Sequence, residues 1–350
     1  MEFFREIPGL LVVLFLALMY KLSGTRVFKI SVALSLAGMV GLLMAGSSKF
    51  LVVLFLVIYS IGDHLIMPVR SALSLSYAKE EKGGLSLGLT NALRQFGNIV
   101  GFGVVTILFL IFAKIGFKRT DIAQYKIVFS ASIALLIAST LIAFAMKETA
   151  QYVPRRRFYF AKKFTKYYFL EVFYGARQQI FFTFAPYTLI LHYHADAFVM
   201  SLLLGICAFF GTILSPIIGR IIDKLGYKTV MVGDTLILIV VCFFFGFSHR
   251  IFSPNTAYIV VCISFVFDSI VSIASMASTV YVRDIASDAD EVMATLSTGI
   301  SVNHVISILI ALAGGWIWRE TGIEVLFTLS AFLGLMNSIY AASIKKPKQS

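Results

Sequence analysis

The sequence predicts an all-α integral membrane protein, because of its composition and its long apolar runs. Apolar residues make up 59% of the 350 residues, charged residues only 14%, and the mean hydropathy is +0.90. Soluble domains contain roughly 45–50% apolar and about 25% charged residues. Because lipid cannot hydrogen-bond an exposed backbone, spanning segments must be helices or closed barrels, and apolar runs of about 18 residues or more favour helices.

Ten runs are long and apolar enough to cross a bilayer as helices. They cover residues 28–47, 51–72, 86–113, 126–146, 167–190, 197–222, 229–248, 257–281, 292–315 and 324–344. A shorter run at 8–20 fits a further span, a signal peptide or a signal anchor. No small-residue cleavage site follows this run, so we do not expect cleavage. The sequence therefore predicts about eleven transmembrane helices.

The loops on one face of these helices carry more Lys and Arg than those on the other, by more than two to one. Basic loops stay in the cytoplasm, so this face is predicted to be cytoplasmic, with the central loop and the C-terminus on that side of the cell membrane. The net charge of +12 then reflects topology signals, and we expect no nucleic-acid partner.

The residue types that bind metals are scattered along the chain. Cys207, Cys242 and Cys262 lie in apolar spans without paired spacing, which favours core residues over a disulfide or metal framework. His192 and His194, with Asp196, form only a short outer turn, which is weak support for a metal site. We therefore expect no metal and no cofactor.

The chain divides into two helical halves at its longest basic stretch. Residues 147–166 form the predicted cytoplasmic linker between bundles at 1–146 and 167–350. The bundles show weak self-similarity at an offset of roughly 203–205 residues, which matches Asp63 with Asp268 and Asn98 with Asn303. Internal symmetry of this kind is typical of transporter folds and predicts two pseudo-symmetric bundles.

One loop motif lies between the second and third helices of the second half. It has the pattern G-x-x-x-D-K-x-G-x-K and consists of Gly219, Asp223, Lys224, Gly226 and Lys228. This motif resembles the signature of the major facilitator superfamily. The resemblance implies a cytoplasmic gate at which Asp223 caps and pairs across the two halves. The copy in the first half is degenerate, with Leu16 and Tyr20 where Gly and Asp belong.

The resemblance also implies twelve helices, whereas the repeat gives the first half one fewer than the second. The helix at 167–190 has no counterpart after residue 1 in the repeat register. The chain therefore resembles a member of the superfamily lacking its first helix, with about five spans in the first bundle and six in the second.

Polar side chains inside a membrane are costly unless paired or hydrated, which makes them candidates for solute or proton binding. The candidates are Asp63, His64, Arg94, Asn98, Arg177, Gln178, Asp268, Asn303 and His304. The resemblance places Asp63, Arg177, Gln178 and Asp268 on a central cavity, with Glu171 nearer to the cytoplasm. The alternative is structural: the acids pair with Arg94 or Arg177, and the amides and histidines join neighbouring helices.

Glycines within the spans have two readings. Gly97, Gly101, Gly211 and Gly314 permit close helix approach that would help the halves to rock, or they reflect ordinary membrane packing.

We expect a secondary transporter that moves a small polar or anionic solute by alternating access and acts as a monomer. Arg177 would bind a carboxylate or phosphate-like group, and Asp63 or Asp268, with or without His304, would exchange a proton. One alternative is efflux of drugs or amphipathic metabolites, since acids among aromatic rings also bind organic cations. Another is a receptor or scaffold that does not transport.

An enzyme is not expected, since the chain has no nucleotide-binding loop and no HExxH motif. The one acidic loop contains Asp284, Asp288, Asp290 and Glu291. It precedes a predicted helix, whose N-terminus acidic side chains stabilise.

Overall fold

A computed structural model describes residues 2–79, 81–116, 122–148, 159–195 and 197–344. Within these ranges the chain folds into α-helices joined by short turns, with no strand. The helices are α1 (Glu2–Leu10), α2 (Val12–Leu18), α3 (Gly24–Met44), α4 (Lys49–Ser76), α5 (Gly83–Ile115), α6 (Ile122–Ala145), α7 (Thr165–Tyr187), α8 (Ala197–Leu225), α9 (Tyr227–Ile251), α10 (Pro254–Ser272), α11 (Met276–Ile285), α12 (Ala289–Thr321) and α13 (Ile323–Ala342).

Nine candidate membrane spans occur in the described ranges, with α10 and α11 forming one of them. Each of the ten predicted runs overlaps a helix, and several helices extend past the apolar run, as α4 does to Ser76. The predicted run at 167–190 is not among the nine spans; it corresponds to α7, which contains the charged residues Glu171 and Arg177. The run at 8–20 corresponds to the short helices α1 and α2, which meet at Leu11. The chain is thus an all-α, multi-pass membrane protein.

Two compact units can be distinguished within the chain. Unit 1 comprises Met1–Ser76, Gly97–Tyr159 and Ser287–Ser301, and unit 2 comprises Tyr77–Phe96, Phe160–Ala286 and Val302–Ser350. Both α5 and α12 are divided between them. The predicted division into 1–146, 147–166 and 167–350 remains a prediction, and residues 149–158 of that linker lie outside the described part of the chain.

Unit 1 is built on the close packing of α3 against α4. A Cβ atom at Gly38 would lie 2.4 Å from the backbone nitrogen of Tyr59, and one at Gly62 would lie 2.4 Å from the Ser35 hydroxyl. Small residues let membrane helices approach until their backbones are almost in contact. The first half therefore has a well-packed pair of helices at its centre.

Unit 2 has an aromatic core contributed by three helices. Phe181 of α7, Phe245 of α9 and Phe327 of α13 are buried, with ring centroids 4.8–5.3 Å apart. At one end of this unit, Lys228 Nζ donates to the Ile344 carbonyl at 3.1 Å, and Lys166 Nζ donates to the Ser343 carbonyl. Cations stabilise the negative end of a helix dipole, so both lysines hold the C-terminal end of α13.

The acidic loop before α12 caps that helix, as predicted. Asp288 Oδ1 accepts from the Glu291 backbone N–H at 2.7 Å, and Glu291 Oε2 accepts from the Ser287 N–H at 2.5 Å. This reciprocal arrangement resembles a capping box. Tyr159, which lies within the predicted linker and is the first described residue after 149–158, donates its hydroxyl to the buried Glu291 carboxylate.

Candidate functional site

The first part of the site lies on α7, where Glu171, Tyr174 and Arg177 are spaced three residues apart. Residues at this spacing are neighbours on a helix surface. Arg177 is only 2% exposed, and its guanidinium lies over the Tyr174 ring, 5.1 Å from the centroid. Arg177 Nη2 has no hydrogen-bond partner in the described part of the chain. A buried cation with an unused donor is costly and is a candidate for binding a ligand.

Two acids face this arginine from neighbouring helices. Asp234 of α9 and Asp268 of α10 are half-buried, and each interacts electrostatically with Arg177. Neither forms a direct ion pair with it among the described residues. A polar interaction across more than contact distance is one that water or a solute can bridge. We call Arg177, Tyr174, Asp234 and Asp268 the arginine cluster.

A second group surrounds Glu171, one turn towards the N-terminal end of α7. Its carboxylate lies 3.3 Å from Asn303 Nδ2 of α12 and 3.3 Å from Ser278 Oγ of α11, and it also bonds the Tyr167 hydroxyl. A Cβ atom at Gly175 would lie 2.8 Å from Asn303 Cγ, so the glycine lets Asn303 approach α7. We call Glu171, Tyr167, Ser278 and Asn303 the glutamate cluster.

The loop motif places its aspartate against the N-terminus of α5, within unit 2. Asp223 Oδ1 accepts from the Gly84 N–H at 2.6 Å and Oδ2 accepts from the Leu85 N–H at 2.7 Å. These donors have no partner inside the helix, and the helix dipole favours an anion there. The Asp223 carboxylate is therefore fully engaged by backbone groups of another helix.

The contact between α5 and α8 continues along both helices. A Cβ atom at Gly219 would lie 2.2 Å from the Gly84 carbonyl oxygen, and one at Gly88 would lie 2.4 Å from the Ser215 carbonyl oxygen. Asn91 Nδ2 donates to Ser215 Oγ at 2.6 Å. We call this contact the α5–α8 seam; it is formed by Gly84, Gly88, Asn91 and Gln95 of α5 with Gly211, Ser215, Gly219 and Asp223 of α8.

The other motif residues have separate positions. Gly226 joins α8 to α9 with φ of 84°, a left-handed conformation that glycine adopts without strain. Lys224 is exposed, and Lys228 bonds the Ile344 carbonyl beyond α13. The gating role expected for the motif as a whole therefore rests on Gly219 and Asp223, and it remains a prediction.

Only some of the residues predicted from the sequence are close together in unit 2. Arg177 and Asp268 share the arginine cluster, and Asn303 joins the glutamate cluster. Gln178 is exposed on α7, and His304 is half-buried on α12.

The first-half candidates have different surroundings. Asp63 is exposed on α4, where it and Arg5 of α1 both influence the Tyr59 hydroxyl electrostatically. His64 is buried, with Nδ1 3.0 Å from the Ser60 hydroxyl. Arg94 bonds Asn91 Oδ1 at 2.8 Å, one helical turn away, and Asn98 is exposed.

The sequence analysis missed Asp234 and Tyr174. Asp234 is the one acid inside the apolar run 229–248, so the rule that polar residues in a membrane are candidates could have found it. Tyr174 carries no comparable signal, since most aromatic residues of a membrane protein only pack.

The glycines divide between the two readings. Gly211 packs against Gln95, and a Cβ atom at Gly314 would lie 2.5 Å from the Phe184 ring. Nothing in the described part of the chain lies within 4 Å of a Cβ built at Gly97 or Gly101. Close helix approach therefore explains the first two glycines, and it does not explain the other two.

The outer histidines do not assemble a metal site in the described ranges, which contain no group of three or more His, Cys, Asp or Glu side chains suited to a metal ion. Asp196 lies outside those ranges. His192 instead packs against His249, with ring centroids 5.1 Å apart, and His249 Nε2 lies 3.3 Å from Glu324 Oε1. Partial burial and the neighbouring His249 lower the pKa of His192.

Comparison with known proteins yields one family match and several similar folds. The family model of the Major Facilitator Superfamily matches residues 167–350. The E. coli fucose:proton symporter FucP aligns at 15% identity and a TM-score of 0.73, covering 97% of this chain and 88% of FucP. A bacterial homologue of the iron transporter ferroportin aligns at 14% identity and a TM-score of 0.73, covering 97% of this chain and 88% of that protein. The proton:xylose symporter XylE aligns at 11% identity and a TM-score of 0.72, covering 97% of this chain and 83% of XylE. A search of curated protein sequences finds no significant match.

Proposed function

Because the chain belongs to the major facilitator superfamily, a family of membrane transporters, we propose that it carries a small polar solute by alternating access and binds it at the arginine cluster. One observation carries the proposal. Arg177 is buried, its Nη2 has no hydrogen-bond partner among the described residues, and neither Asp234 nor Asp268 forms an ion pair with it there, although both interact with it electrostatically. Protein groups that need a partner and have none are suited to a ligand that supplies one.

The chemistry of the cluster favours a neutral or zwitterionic solute over an anion. Two carboxylates and one guanidinium leave an excess of acid, so a purely anionic solute meets repulsion unless an acid is protonated. A hydroxyl group can donate to Asp268 and accept from Arg177, since it does both. Two of the similar folds are a fucose:proton symporter and a proton:xylose symporter, and both sugars are neutral molecules with several hydroxyl groups. This similarity supports the same solute class here.

The α5–α8 seam is proposed as the gate. The two hydrogen bonds to Asp223 and the glycine crossing hold α5 against α8 in this conformation. Opening this end of the molecule would break both hydrogen bonds and expose the first amides of α5. The seam would therefore form and break once in each transport cycle.

The proposed location is the cell membrane, with the C-terminus and the central loop in the cytoplasm and the protein a monomer. The concentration of lysines at the end of unit 2 that carries Lys166, Lys224 and Lys228 supports this orientation. Fusion of a reporter that is active only in the cytoplasm to the C-terminus tests it. Activity of a periplasm-dependent reporter at that end would contradict it.

The acid excess also supports a second candidate, the efflux of organic cations. Asp234, Asp268 and the Tyr174 ring would together hold a cation through charge and through its contact with the ring face. This candidate uses the same site, and it predicts a preference for organic cations over neutral or zwitterionic solutes.

The experiment is solute counterflow into proteoliposomes with a panel of sugars, amino acids, carboxylates and organic cations. We expect a neutral or zwitterionic polar solute to exchange in the wild type. Asp268→Asn should weaken exchange at low solute concentration about tenfold, equivalent to one hydrogen bond to a charged group. Glu320→Gln, an exposed change outside the cluster, is the matched control.

Three other results are informative. Exchange of organic cations alone would support the efflux candidate. Solute-dependent thermal stabilisation without exchange would support a receptor that does not transport. Exchange that is unchanged in Asp268→Asn would remove the arginine cluster from the proposal.

A further inference from the structure

We propose that Glu171 binds the monovalent cation, H⁺ or Na⁺, that is carried together with the solute; this inference rests on the proposed transport function. The sequence alone favours Asp63 or Asp268 for this role. The structure distinguishes the acids by their partners. Asp268 has Arg177 as a countercharge, whereas Glu171 forms no ion pair in the described part of the chain.

All three partners of Glu171 are neutral donors. They are the Asn303 amide and the hydroxyls of Ser278 and Tyr167, from α12, α11 and α7 itself. Neutral donors reduce the cost of a carboxylate away from water, and they leave its charge uncompensated. A carboxylate held in this way gains a full countercharge only when a small cation binds. Glu171 itself is half-buried.

The groups around Glu171 leave it as the acid best placed for a cation. Its titratable neighbours are Tyr167 and Tyr174 on the same helix, and Arg177 acts on Tyr174. Ser278 and Asn303, which α11 and α12 contribute, do not ionise. Glu171 is therefore next to the arginine cluster through Tyr174, and it forms no ion pair with Arg177 in the described part of the chain.

A break in the helix next to Glu171 offers a way to transmit its charge. Between α10 and α11 the chain forms a 3-10 turn, Ile273–Ser275. The Ser272 carbonyl accepts from the Tyr174 hydroxyl at 3.5 Å, and the Ser275 carbonyl accepts from Ser278 Oγ at 2.9 Å. Short 3-10 segments within long helices often mark hinges.

Ser278 connects the carboxylate to this hinge. Its hydroxyl lies near both Glu171 Oε1, at 3.3 Å, and the Ser275 carbonyl, at 2.9 Å, and it has one proton to donate. When Glu171 is ionised, the Ser278 hydroxyl donates its hydrogen bond to the carboxylate. When a cation neutralises Glu171, the hydroxyl donates to the Ser275 carbonyl instead. Cation binding would thereby alter the hydrogen bonding of the hinge between Asp268 and α11.

The test compares two transport modes in proteoliposomes. Counterflow needs solute binding and rocking only, whereas uphill accumulation also needs the coupled cation. In one arm, a pH gradient without Na⁺ drives solute uptake by the wild-type protein. In the other arm, a Na⁺ gradient at equal pH drives it. We expect accumulation in one arm. Glu171→Gln should reduce it at least tenfold and leave counterflow within about twofold, because glutamine keeps the shape and removes the charge.

A second variant guards against misfolding of Glu171→Gln. Ser278→Ala keeps the carboxylate and should shift the cation concentration for half-maximal accumulation roughly tenfold, the effect of one hydrogen bond to a charged group. Ser71→Ala is the matched control and should change nothing, since in the described part of the chain the Ser71 hydroxyl bonds only the Met67 carbonyl of its own helix.

Two results would overturn the inference while the proposed function stands. One is accumulation that survives both Glu171→Gln and Ser278→Ala. The other is wild-type counterflow without accumulation in either arm. Absence of wild-type counterflow would instead refute the proposed function itself, and the inference with it.

Discussion

The α5–α8 seam and the arginine cluster both place aspartates between helices of unit 2, but the two sites satisfy them very differently. Asp223 in the seam accepts two short hydrogen bonds from backbone amides of α5. In the described part of the chain, Asp268 interacts electrostatically with Arg177 without an ion pair, and Arg177 Nη2 has no hydrogen-bond partner. A saturated carboxylate stabilises a structure, whereas an unsaturated one is available to a ligand. Substitutions in the seam should therefore affect stability, and those in the cluster should affect binding.

The largest effect is expected from Gly219→Ala. The new methyl would lie 2.2 Å from the Gly84 carbonyl oxygen, and a backbone atom cannot move aside as a side chain can. Overpacking of this severity costs about 3 kcal/mol. Thermal unfolding in detergent should show a lower Tm, and counterflow should be lost. Gly97→Ala, on α5 with nothing within 4 Å in the described part of the chain, is the control and should behave as wild type.

The second-largest effect is expected from Asp223→Asn. Asparagine keeps one acceptor for the Gly84 and Leu85 amides and loses both the second acceptor and the charge that the helix dipole favours. The expected loss of stability is about 1–2 kcal/mol, as for removal of a helix cap. Thermal unfolding measures it, with Glu320→Gln as the surface control. A Tm equal to that of wild type would mean that the seam does not hold α5.

Asp268→Asn should leave the Tm almost unchanged, in contrast to Asp223→Asn, because Asp268 makes no direct bond in the described part of the chain. Its effect should appear in solute binding, measured as the solute concentration that gives half-maximal thermal stabilisation. A Tm loss as large as that of Asp223→Asn would break the comparison, since Asp268 would then be structural.

The smallest effect is expected for the ion pair of Arg26 and Glu148, 2.8 Å apart at the surface. The Arg26 guanidinium lowers the pKa of Glu148 below its usual 4.5. The pair therefore contributes stability at neutral pH, and this contribution is lost as the pH falls through that lowered value. Because both side chains are solvated, Arg26→Ala should change the Tm at pH 7 very little. A clearly lower Tm of Arg26→Ala at pH 7 would contradict this small contribution of the ion pair.

The fold was predictable from the sequence because the apolar runs and the basic loops report directly on spans in a membrane. The helix ends were less predictable, since α4 continues past the predicted run to Ser76 and hydropathy does not report where a helix stops. The capping by Asp288 was predictable from local sequence alone. The superfamily was predictable because its motif is a short, contiguous pattern.

The site was only partly predictable. Arg177 and Asp268 stand out as charges in apolar runs, whereas their distance and the role of Asp234 depend on how three helices pack. The repeat matched Asp63 with Asp268, yet Asp63 is exposed and Asp268 is half-buried. Sequence symmetry reports common ancestry of the halves, and it does not report which copy keeps a buried environment.

The C-terminal end of α7 continues into a π turn, Thr188–His192, closed by bonds such as that from the Tyr193 N–H to the Thr188 carbonyl at 3.2 Å. A π turn accommodates about one residue more than an α turn, and π turns are typically single turns within α-helices. Deleting one residue here would restore regular α-helix. A deletion between Glu171 and Arg177 would instead rotate the two side chains by about 100° relative to each other, and one between Arg177 and the π turn would rotate both by about 100° relative to the core. This turn is therefore the place on α7 where length can change during evolution without altering the relative positions of Glu171 and Arg177.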